Sequence, residues 1–70
     1  MNTTTRPSPL SVFRFSQGLT QSQLADRAHV ARETVSRLER GAQPQARTAT
    51  AIAAALGIAQ ELLFPPKVSE

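Results

Sequence analysis

Between Leu19 and Gly41 the chain reads LTQSQLADRAHVARETVSRLERG, and no other stretch restricts the fold as tightly. Thr20 and Gln23 stand three apart, the spacing of a capping box, in which each side chain satisfies the other residue's free backbone N–H. Leu19 before that cap and Leu24 after it are placed to pack together as a hydrophobic staple. Val30 and Val35 repeat the staple relation around a second start near Ala31. Only Ala28-His29-Val30 separates the two helices. The chain must therefore turn tightly there, and the angle between the helices is fixed.

The flanking segments supply the rest of an all-α bundle. Ser8-Pro9 is a helix start, since Ser caps and Pro is preset for the first helical position. That helix places Leu10 and Phe13 on one stripe and ends at Gln17-Gly18, with Gly18 in the left-handed C-cap. Phe15 lies off the stripe and reads either as cover for the helix flank, the preferred reading, or as part of a patch used by a partner. Beyond a loop around Pro44, Arg47 to Leu56 forms an alanine-rich fourth helix with Ala49, Ile52, Ala53 and Leu56 inward. Gly57 ends it, and a short fifth helix carries Ile58, Leu62, Leu63 and Phe64 before Pro65-Pro66 stops it. We expect five helices in one domain over residues 9–64. A polar arm, residues 1–8 with Arg6 as its charge, precedes it, and a tail, residues 65–70, follows.

Composition decides what such a bundle can do. A small aliphatic core with three aromatics supplies on the order of 3–5 kcal/mol at best. The chain has no Cys, so neither a disulfide nor a thiolate metal site supplements it, and a homodimer is expected, at least on the target. His29 stands beside no ligand set and reads as a turn residue, so no metal and no cofactor are expected. His29, Asp26 and the scattered Ser residues show no nucleophile-base spacing, which argues against an enzyme. No apolar run approaches a membrane span and no signal-peptide layout opens the chain, so a cytoplasmic protein is expected. The net charge is +3, and of the eight basic residues all but Lys67 are Arg, the planar fork that suits phosphates and the guanine edge. Double-stranded DNA is the expected partner.

Particular residues carry a family resemblance. Gln21 opens the first helix of the pair, Ala25 is the small residue where the two helices cross, and Val30 closes the turn. Val35 and Leu38 are core positions, Glu39-Arg40-Gly41 ends the second helix, Pro44 follows, and Ala53 with Ala55-Leu56-Gly57-Ile58 ends the fourth. From about Leu10 to Phe64 the chain resembles the lambdoid phage repressor and Cro family, also called the xenobiotic-response-element family. The resemblance implies a compact five-helix lambda-repressor-like bundle containing a helix-turn-helix. It also implies an ion pair between Arg14 and Glu39 that locks the first helix to the third, and a recognition helix over residues 32–40. His29 departs from the family's Gly in the turn, Ala31 from its usual Ser or Thr cap, and Ala46 and Ala49 from bulkier residues.

An α-helix of this kind enters the major groove with its outward side chains at the base edges. Arg32, Glu33, Thr34, Ser36 and Arg37 are the expected readers, with Arg32 and Glu33 first by resemblance. Gln21, Arg40, Gln43 and Arg47 are the expected phosphate contacts. Leu62, Leu63, Phe64 and Pro65 are the expected dimer contact, or else Leu63 and Phe64 cap the monomer's own core. The resulting expectation is a transcriptional regulator, a repressor on a palindromic operator. The alternative is an antitoxin or adaptor whose main work is to bind a protein partner, a toxin or a polymerase subunit.

Overall fold

The computed structural model describes residues 8–65. The expected arm with Arg6, and the tail beyond Pro65, fall outside those residues apart from Ser8 and Pro65 themselves. Five helices follow one another: α1 Pro9–Ser16, α2 Gln21–Ala28, α3 Arg32–Glu39, α4 Ala46–Leu56 and α5 Gln60–Leu63. Among the described residues there is no strand.

The helix starts follow the local chemistry. Ser8 Oγ accepts from the Ser11 amide at 3.1 Å, with Pro9 at the first helical position. At α2 the capping box closes in both directions, Thr20 N–H to Gln23 Oε1 at 2.9 Å and Gln23 N–H to Thr20 Oγ1 at 3.0 Å. Ala31 and Gln45 hold the extended cap conformation at α3 and α4 with no side-chain hydrogen bond. At Ala31 a missing hydroxyl costs about 1 kcal/mol. Two boundaries differ from expectation. The third helix ends at Glu39 with Arg40 as its C-cap, and the fourth begins one residue early, at Ala46.

The helix ends share one device. The amides of Leu19, Val30, Ala42 and Ile58 each donate to the carbonyl five residues back, on Arg14, Ala25, Arg37 and Ala53, at 3.0–3.1 Å. Each such closure needs a left-handed residue just before the donor. Gly18, Gly41 and Gly57 supply it at three ends, and His29, at φ 60°, supplies it at the fourth. Leu19 and Val30 serve two helices each, sealing the end of one and stapling the start of the next. The turn thus has its geometry without its usual glycine, at a strain of roughly 1 kcal/mol. His29→Gly is therefore expected to raise stability by about 0.5–1 kcal/mol in a denaturant titration, and a loss of stability would show that the imidazole makes a compensating contact.

The core gathers Leu10 from α1, Leu24, Ala25 and Ala28 from α2, Val35 and Leu38 from α3, Ile52 and Leu56 from α4, and Leu63 from α5. Helix α2 packs against both α3 and α4, and its small Ala25 and Ala28 let the backbones approach. Ala49 is buried on α4 as expected, whereas Ala53 is half-buried. Outside the helices, Gln17 Nε2 donates to the Leu56 carbonyl at 2.7 Å and ties the end of α1 to the end of α4. Phe15 is 67% exposed and does not cover the flank of its helix as expected. Its ring instead lies under the Arg14 guanidinium, with Cζ 4.5 Å from the centroid.

Candidate nucleic-acid interface

Burial of Val35 and Leu38 fixes which way α3 faces. Arg32, Glu33 and Arg37 are exposed, while Thr34 and Ser36 are half-buried at the margins of the same surface. Glu33 stands between two cations, 3.7 Å from Arg37 Nε and 4.0 Å from Arg40 Nη2. These pairs lie in solvent and contribute little to stability. Their effect is to lay two guanidinium groups along one exposed face.

Behind that face lies a buried hinge of charge. Arg14, only 7% exposed, grips Glu39 with two prongs, Nε to Oε2 at 2.5 Å and Nη2 to Oε1 at 3.0 Å. Its Nη1 donates to the Leu19 carbonyl at 2.8 Å, so the guanidinium also holds the link between α1 and α2. Among the described residues no buried side-chain nitrogen or oxygen lacks a partner. Desolvation offsets much of the attraction in such a pair, but the bidentate geometry sets one register of α1 against α3. The pairing implied by resemblance is therefore present.

The structure adds a connection that sequence reading missed. Gln21, at the start of α2, donates from Nε2 to Glu39 Oε1 at 3.0 Å and accepts at Oε1 from Arg32 Nη1 at 3.2 Å. It is half-buried, and its amide is engaged by protein at both ends. No local periodicity relates residues 21 and 39. The signal that could have found the pair is that Gln21 and Glu39 both border the same crossing of α2 and α3.

The remaining expected contacts flank α3. Arg40 lies at its C-cap, and Gln43 and Arg47 are exposed on the loop and at the start of α4. Between them Thr34, Arg37, Pro44 and Thr48 help line an open depression of about 290 Å³. At the C-terminal end the four apolar residues separate. Leu62 is 56% exposed, Phe64 half-buried and Pro65 exposed, but Leu63 is 2% exposed and belongs to the core. Leu63 is thus taken out of any contact surface, because α5 presents it to the bundle and turns Leu62 outward.

With this geometry in hand, the comparison with protein families is decisive. A family model described as Helix-turn-helix matches residues 13–59, more than half of the chain. The chain belongs to the Cro/C1-type helix-turn-helix family. No curated protein matches it. The match covers the Arg14–Glu39 pair, the capping box, the turn through His29 and all of α3 and α4, and it stops short of α5. This helix-turn-helix protein is a DNA-binding transcriptional regulator. Among the described residues no helix is long and apolar enough to cross a membrane, and no group of His, Cys, Asp and Glu is placed to hold a metal ion.

Proposed function

We propose that the protein is a repressor that binds a palindromic operator as a dimer, with α3 of each copy in the major groove of one half-site. The observation that carries this reading is the orientation of α3, whose buried Val35 and Leu38 leave Arg32, Glu33 and Arg37 facing out. Arg pairs with guanine N7 and O6, and Glu accepts from cytosine N4, so each half-site contains a G·C pair under these residues. Arg40, Gln43 and Arg47 hold the phosphates on either side and fix register, with Thr34 and Ser36 at the rim of the reading surface. The DNA-binding unit spans residues 9–64, between an arm at 1–8 and a tail at 65–70. Leu62, Phe64 and Pro65 supply the contact between copies, setting half-sites about 34 Å apart. The protein acts in the cytoplasm, on the chromosome or a mobile element.

Selection of binding sites from a random duplex pool, at two salt concentrations, tests this. Wild type is expected to enrich a palindrome. Arg32→Ala and Arg37→Ala are each expected to relax one base position, at about 1–3 kcal/mol of lost discrimination. Arg47→Ala should instead weaken all sequences alike and lower the salt slope by roughly one. Salt-sensitive binding with no enriched sequence would overturn the proposal.

The exposure of Val12, Phe15 and Leu62 favours a second reading, an antitoxin or adaptor that holds a protein through those residues and binds DNA for autoregulation. Under that reading Phe15→Ser abolishes capture of the partner and leaves the selected operator unchanged.

A further inference from the structure

Three hydrogen bonds join the buried ion pair to the reading face. They run from Arg14 Nη2 to Glu39 Oε1, from Gln21 Nε2 to the same oxygen, and from Arg32 Nη1 to Gln21 Oε1. Their directions are not interchangeable. A carboxylate only accepts, so Glu39 takes the NH₂ end of the Gln21 carboxamide and turns its C=O end toward α3. That C=O end takes only a donor, and a guanidinium is a donor with no acceptor. The sequence of partners is chemically directional from the core to the surface.

We propose that Gln21 is a positioning residue for base reading rather than a backbone contact: Glu39, pinned by Arg14, fixes which way the Gln21 carboxamide faces, and the carboxamide aims Arg32. With Nη1 held, Nε and Nη2 remain as the fork that meets the two acceptors of one guanine. In the free protein the outer bond is exposed and weak. Expulsion of water from the groove strengthens it at the moment of reading. The proposal rests on the operator-binding reading above, and it differs from a phosphate contact in its signature. A phosphate contact changes affinity for every sequence alike, whereas loss of aim changes one base position.

Two measurements test it. In the free protein, the side-chain amide signal of Gln21 in a nitrogen-edited magnetic-resonance spectrum should move in Arg32→Ala and in the double replacement Arg14→Met with Glu39→Leu. The Gln23 amide, bound within the capping box, should stay in place. In site selection, Gln21→Ala and the double replacement should lose preference, on the order of tenfold, at the same base pair that Arg32→Ala relaxes, with other positions kept. A Gln21 signal indifferent to Arg32 overturns the proposal, and so does uniform weakening across all positions. Should the double replacement fail to fold, Gln21→Ala decides alone, since it alters a half-buried side chain at a helix start. A wild-type protein that enriches no sequence overturns the operator reading and Gln21's part in it, and is distinguished by the failure appearing before any substitution is made.

Discussion

Glu39→Ala is expected to leave the protein largely unfolded at room temperature. The substitution strands the Arg14 guanidinium in a site where it is 7% exposed and removes the acceptor for two of its donors and for Gln21. Breaking a buried pair from one side costs about 3–5 kcal/mol, because the remaining charge has lost both water and partner. A core of this size supplies on the order of 3–5 kcal/mol in total, so the loss is comparable to the whole stability. The Leu19 carbonyl and the Phe15 ring remain beside Arg14, but neither carries a full negative charge. Circular dichroism against denaturant reads the outcome directly. The companion variant, Arg14→Met with Glu39→Leu, removes both charges and is expected to recover a cooperative transition, since apolar residues of similar volume often replace a buried pair without net loss. Cooperative unfolding of Glu39→Ala within 1 kcal/mol of wild type would mean that Arg14 reaches solvent at little cost.

That contrast bears on what the sequence could disclose. The capping box at Thr20 and Gln23, the Ser8-Pro9 start and the left-handed ends at Gly18 and His29 are local chemistry, contained within a few residues, and the chain spells them out. The Arg14–Glu39 pair spans 25 residues, and it was legible only through family resemblance. Gln21 shows the limit. Its place at a helix start suggests a free anion site, and nothing nearby reveals that Glu39 and Arg32 take the two ends of its amide. Helix α5 shows another limit, because four residues make barely one turn and apolar spacing cannot decide which of Leu62 and Leu63 enters the core. Phe15 went unread for a different reason: its ring is engaged by a cation from the neighbouring residue, a partner that hydrophobic periodicity does not weigh.

Leu24→Ala is expected to cost about 3–5 kcal/mol, near the top of the range for such truncations. The side chain is fully buried on α2, in the cluster that also holds core residues from α3 and α4. The cost of a cavity depends on how far its walls can relax, and here several neighbours in the core are alanines, Ala25 and Ala28 on α2 and Ala49 on α4. A methyl group has no reach with which to refill the space, so the truncated core keeps most of its void. The same cluster holds α3 at its angle to α2, which ties the stability loss to function. Leu24→Met conserves volume and should cost under about 1.5 kcal/mol, with thermal melting of the two variants giving the comparison. If DNA binding by Leu24→Ala, measured at a temperature where it remains folded, falls while Leu24→Met binds as wild type, the angle of the helix pair is set by packing at this position. If Leu24→Ala melts within a few degrees of wild type, α2 and α4 have closed on the gap, and the alanine-rich seam between them is more pliable than its burial implies.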